Sequence, residues 1–91
     1  MNYNVILEKQ ALKELKKLTK SGRKNDINKL YEILEELKIH PTTGIGNPKP
    51  LKHGLSGKWS RRINKKDRII YEIIEEPERL VVVVSPLEYY N

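Results

Sequence analysis

The hydrophobic period changes near the start of the chain. Tyr3 to Leu7 is a short Val- and Ile-containing run and a strand candidate. From Glu8 the repeat lengthens to that of a helix. Ala11, Leu12, Leu15 and Leu18 fall on one stripe, with Lys13, Glu14, Lys16 and Lys17 outside it. Ser21-Gly22 ends this helix, glycine being the usual residue where the backbone turns left-handed. The spacing predicts a second helix over Lys24 to Ile39, striped by Ile27, Leu30, Tyr31, Leu34 and Leu37. Pro41 stops it, because a residue before proline disfavours the helical region. Two helices joined by so short a turn form an antiparallel hairpin.

Beyond Pro41 the periodicity lapses into TTGIGNPKPLKHGLSG, a loop of roughly a dozen residues or more, and loops of that length are often functional. Three strands are then predicted: Lys58 to Ile63, Arg68 to Ile74 and Leu80 to Ser85, separated by turns at Asn64 to Asp67 and Glu75 to Glu78. Turns this tight imply antiparallel pairing. The order β-α-α-β-β-β predicts an α+β fold in which one antiparallel sheet is covered on a single face by the helical hairpin. Alternation places Trp59, Arg61 and Ile63 on one face of their strand and Ser60 and Arg62 on the other. In the next strand Ile69, Tyr71 and Ile73 oppose Arg68, Ile70 and Glu72. If the apolar set meets the helices, Arg68 points from the uncovered face and makes a half-open, positive concavity there.

Composition bounds this picture. Ninety-one residues allow one domain, here read as residues 1–91, near the small end of what folds unaided. The 37% hydrophobic residues are clustered and periodic, which argues against disorder. The absence of cysteine removes disulfides and thiolate metal sites as staples and is compatible with a reducing, cytoplasmic setting. The short apolar run at the start is neither a signal peptide nor a membrane span. Charge is the informative quantity. Residues 47–68 hold eight bases (Lys49, Lys52, Lys58, Arg61, Arg62, Lys65, Lys66 and Arg68) against Asp67, a net +7 beside +6 for the whole chain. So local a surplus points to a polyanionic partner, nucleic acid or an acidic protein, rather than to a membrane.

That segment is also where the chain becomes recognisable. The strings PLKHGLSG, an aromatic at Trp59, SRRIN, and then DRIIY resemble the YoeB family of the RelE/YoeB superfamily of bacterial toxin–antitoxin ribonucleases. The aromatic pair Tyr89-Tyr90 stands where family chains end in His-Tyr. The resemblance spans nearly the whole chain. It implies a RelE-like fold and a ribosome-dependent mRNA endonuclease that cuts in the ribosomal A site, contacts ribosomal RNA, inhibits translation and needs no cofactor or metal. It also implies an acidic, YefM-like antitoxin as partner, with promoter DNA reached only through that antitoxin.

Such chemistry requires a base for the 2′-hydroxyl proton, a cation for the crowded phosphate and an acid for the departing 5′-oxygen. Two isolated histidines and no carboxylate cluster do not make a metal-ligand set. Arg68 is the candidate for the phosphate, since a guanidinium stays charged and bonds two oxygens at once; the family uses an arginine at the matching position. An exposed strand arginine paired with Glu72 is the plainer reading. Lys49, between two prolines, occupies the position where the family usually has a glutamate as general base. A lysine at its ordinary pKa of about 10.4 is a poor base. It serves only if neighbouring cations lower that value, and otherwise grips phosphate. Tyr89, in place of the family's histidine, donates a proton or, like Tyr90, stacks on a base; packing at the sheet edge is the alternative for both. Lys52, Arg61 and Arg62 read as electrostatic anchors on RNA, and His53 as an RNA-side or structural hydrogen-bonder. Trp59 is expected to pack beside the loop. With the glutamate and histidine both replaced, two other functions stay open: an RNA- or ribosome-binding homologue with little or no nuclease activity, and a basic module that chiefly holds an acidic antitoxin.

Overall fold

The computed structural model describes residues 2–52 and 57–85, the side chain of Ser85 excepted. Seven elements follow one another: β1 (Asn4–Leu7), α1 (Lys9–Lys20), α2 (Lys24–Leu37), β2 (Lys49–Pro50), β3 (Lys58–Arg62), β4 (Arg68–Ile74) and β5 (Leu80–Ser85). The strands form one sheet in the order β1-β5-β4-β3-β2. β2 through β5 pair antiparallel, as the tight turns predict. β1 departs from the all-antiparallel expectation, for it lies parallel to β5 with Val5 opposite Val81. No tight turn joins this pair, since everything from α1 to β4 lies between them in the chain, and only so long a connection lets neighbours run parallel. The sheet is therefore mixed within the expected α+β arrangement.

Both helices pack on one face of the sheet. Ala11, Leu18, Leu30, Ile33 and Leu37 from the helices meet Ile63, Ile69, Tyr71, Val81 and Val83 in a single core. Val5, Leu7, Trp59 and Ile73 flank it from the same face. Fully burying side chains of this size stabilises by about 1.5–3 kcal/mol each, so this face supplies most of the drive to fold. The predicted stripes were each off at one position. Leu12 and Tyr31 are 44% and 48% exposed, and Ile33 takes the core position assigned to Tyr31. Both misplaced residues sit next in sequence to a residue that does reach the core, at the stripe's edge, where 3.6-residue periodicity discriminates least.

α2 ends at Leu37, two residues before the predicted limit, with the amides of Ile39 and His40 both donating to the Glu36 carbonyl. The segment that follows has no regular structure until Lys49-Pro50, a two-residue strand too short to be read from periodicity. Lys49 lies opposite Ser60 and Pro50 opposite Trp59, and the Leu51 amide donates to the Lys58 carbonyl at 2.8 Å. A short piece of the expected loop, Lys49 to Leu51, is thus drawn onto the sheet edge.

Candidate nucleic-acid interface

Strand pairing brings three of the candidate residues onto one surface. Arg62 and Arg68 are Cα partners across β3 and β4. Lys49 is the partner of Ser60, two residues along β3 from Arg62. Partners in an antiparallel ladder share a face, so Lys49, Ser60, Arg62, Arg68 and Ile70 all belong to the face turned away from the helices. Arg62 and Lys49 are exposed and Arg68 is half-buried, while Ser60 and Ile70 between them are buried. At the other end of the same face Lys58 lies opposite Glu72, so charge there is balanced. Like charges directly opposite, with Cα atoms about 4.5–5.5 Å apart, are destabilising on their own. Among the described residues no carboxylate pairs with Lys49, Arg62 or Arg68. An anion is the natural complement to such a pair.

The turn before Arg68 is built to hold that arginine in register. Asn64 Oδ1 accepts from the amides of Lys66 and Asp67, at 2.8 and 2.7 Å. Its amide nitrogen donates to Asp67 at 3.0 Å and to Asp26 at the start of α2 at 2.9 Å. Arg23 lies 3.6 Å from both carboxylates. Asp67, the lone acid of the basic segment, is therefore engaged in the turn rather than beside Arg62 or Arg68. Lys65 and Lys66 are exposed at the turn's tip. The β4–β5 register shifts between Ile70, opposite Ser85, and Tyr71, opposite Val83, which leaves Val84 as an extra residue on β5.

Arg61 is the correction. Assigned to RNA with its neighbour, it is 0% exposed and lies on the helix-covered face, the partner of Ile69. Its Nη1 donates to Glu36 Oε1 at 2.6 Å and to the Ile45 carbonyl at 3.3 Å. Nη2 donates to the Thr43 carbonyl at 2.8 Å and to that of His40. Nε donates to the Tyr71 hydroxyl at 3.2 Å, which in turn donates to the Pro41 carbonyl at 2.7 Å. Burial raises the Tyr71 pKa above the ordinary tyrosine value, with Arg61 opposing the rise. Alternation had already placed Arg61 beside Trp59 and Ile63; the positive string around it drew the wrong assignment. Glu36, Tyr71, Asn64 and Asp67 escaped notice as structural partners, although Asn-x-x-Asp at a predicted turn is a readable signal.

The remaining candidates divide simply. Lys52 is exposed just beyond β2. Trp59 is half-buried against the core and opposite Pro50, where it supports the loop as expected. His53, Tyr89 and Tyr90 lie outside the described residues. Among the described residues no group of three His, Asp or Glu side chains comes together to hold a metal ion, and no helix is long and apolar enough to cross a membrane. A depression of about 720 Å³ runs along α2, lined by Tyr31, Glu32, Glu35, Glu36 and Ile39 with no cation of the basic segment on its wall.

The molecule is thus an α+β sheet with a helical hairpin on one face and a cationic row on the other. Residues 7–89 match the family described as YoeB-like toxins of bacterial type II toxin–antitoxin systems, and the chain belongs to that family. It is 42% identical over 53 residues to the toxin YoeB of Escherichia coli, a match covering 58% of this chain and 63% of that protein. Among solved structures it resembles the YoeB dimer of Staphylococcus aureus, with TM-score 0.82 and 27% identity over 99% of this chain and 100% of that one. It also resembles the toxin of the heterotetrameric YoeB–YefM complex of the same organism, with TM-score 0.80 and 27% identity over 99% and 100% of the two chains.

Proposed function

We propose that this protein is the toxin of a type II toxin–antitoxin pair and cleaves mRNA on the ribosome, through attack of a 2′-hydroxyl on the adjoining phosphate. Arg62 and Arg68 carry this reading: two arginines opposite each other on the sheet face turned away from the helices, with Lys49 one row away. Arg68, half-buried, takes the phosphate at which charge accumulates, where a fixed bidentate donor stabilises the crowded transition state best. Arg62, Lys49 and Lys52, exposed around it, hold the flanking phosphates. In the reaction the 2′-oxygen bonds to phosphorus and gives its proton to a base. The bond to the 5′-oxygen breaks and that oxygen takes a proton, which leaves a cyclic phosphate and a free 5′-hydroxyl. Tyr89 or Tyr90 supplies the second proton. An acidic YefM-like antitoxin covers the same cations and so blocks RNA, in keeping with the toxin–antitoxin complex of the Staphylococcus aureus relative.

Cleavage of mRNA in a purified translation system with a defined A-site codon tests this. Wild type should cut, and Arg68→Ala should cut at least 100-fold more slowly while still binding. Loss of cutting in Lys49→Ala without loss of affinity makes Lys49 the base; a parallel loss of affinity makes it an anchor. An inert wild type that Lys49→Glu activates would identify a binding homologue that lacks its base, and overturn the enzymatic reading.

A further inference from the structure

We infer that Arg61, with Glu36 and Tyr71, is a positioning device for the proposed site: a buried clamp that holds residues 40–46 and so sets where β2 presents Lys49. The inference rests on the reading of Lys49 as a site residue. A guanidinium has five N–H donors, and all five of Arg61's meet acceptors at Tyr71, Glu36, Ile45, His40 and Thr43. Three of those acceptors are backbone carbonyls of the irregular segment after α2. Tyr71 adds a fourth by donating to the Pro41 carbonyl. Glu36 Oε1 closes the other half by accepting from the Ile45 amide at 3.0 Å. The segment has no ladder of its own, and this cluster answers its backbone groups in place of one.

The clamp is continuous with the site. Immediately after Ile45, the Gly46 carbonyl accepts from the Arg62 amide at 2.6 Å, and the chain then pairs Lys49 with Ser60. One strand position thus turns Arg61 inward to hold the loop, while the next turns Arg62 outward beside Arg68. Two glycines let the backbone come close enough. A Cβ at Gly44, where φ is +124°, would lie 1.9 Å from Glu36 Oε1. At Gly46, where φ is +81°, it would lie 2.8 Å from the Arg62 carbonyl. Lysine at position 61 could supply at most three of the five donors, without the planar fork, so the arrangement calls for arginine in particular.

The test compares Arg61→Lys, Glu36→Gln and Gly44→Ala with Lys13→Ala, a solvent-facing control on α1. Amide hydrogen exchange is followed by peptide, alongside steady-state cleavage of ribosome-bound mRNA. Exchange over residues 40–50 should accelerate at least tenfold in the three clamp variants while β4 and β5 stay protected as in wild type. Cleavage should show kcat reduced tenfold or more with KM within about threefold, since Arg62 and Arg68 keep their strand positions. Exchange that accelerates equally over the whole sheet, or not at all over 40–50, overturns the inference. So does a clamp variant with local opening and unchanged kcat. Should wild type itself not cleave, the exchange arm still decides whether the clamp holds β2, and only the functional proposal falls. Where Arg61→Lys fails to fold, Glu36→Gln, which keeps the side chain's size and shape while removing its charge, supplies the comparison.

Discussion

Arg61 and Arg62 are neighbours with the same side chain, and the sheet gives them opposite tasks. On the helix-covered face Arg61 is wholly buried, and each of its donors is answered. On the open face Arg62 is exposed and lies opposite Arg68. A buried charge must be paired and hydrogen-bonded to be tolerated, whereas an exposed one costs little and remains free for a ligand. The two faces therefore separate what makes this protein fold from what it offers to a polyanion. Counting the basic segment as a single cationic patch hides that division.

Substitutions should break the symmetry between the two faces in a graded way. The largest effect is expected for Arg61→Met, which leaves the Glu36 carboxylate and several carbonyls without their donor. Equilibrium denaturation should show a loss of about 3 kcal/mol, the low end for breaking a buried pair because Glu36 is itself partly exposed. Gly44→Ala should follow, at about 1–3 kcal/mol, since both its positive φ and its contact with Glu36 oppose a side chain. Tyr71→Phe should cost about 1–2 kcal/mol by leaving the Arg61 Nε donor and the Pro41 carbonyl unanswered.

Tyr71 also adds a pH signature. Its folded-state pKa is raised above 10.0, chiefly by burial. Below about pH 10 the phenol is neutral folded and unfolded alike, and its contribution is fully present. As pH rises further the unfolded chain ionises first and the contribution is lost. A denaturation series across that range should show a steeper alkaline decline for wild type than for Tyr71→Phe. Smallest of all, Arg62→Ala should change stability by no more than about 0.5 kcal/mol, with relief of its repulsion from Arg68 offsetting lost contacts.

Much of this arrangement was legible in the residues. The period change at Glu8, Pro41 and the tight turns placed the helices and strands, and alternation put Arg68 opposite the core residues Ile69 and Tyr71. β2 was not legible, because two residues carry no period and its pairing with β3 is set by the long-range contacts of Gly46 and Pro50. Nor was the parallel seat of β1, which depends on where β5 comes to lie after the elements between them. The role of Arg61 was half-legible: its face could be read, but its five acceptors come from a helix end, a loop and a neighbouring strand that only the folded chain assembles. Arg62 and Arg68, on β3 and β4, could be assigned to their shared face from strand parity alone, whereas Lys49, on β2, could not.

The most direct measurement of the division between the faces is the salt dependence of affinity for single-stranded RNA, for wild type, Arg62→Gln, Arg68→Gln and Lys13→Gln. Each lost phosphate contact should lower the slope of log K against log salt by about 0.7. The account predicts that drop for Arg62→Gln and for Arg68→Gln and none for Lys13→Gln. An unchanged slope in the two arginine variants, or an equal drop in Lys13→Gln, would contradict it and return the basic segment to a diffuse positive field.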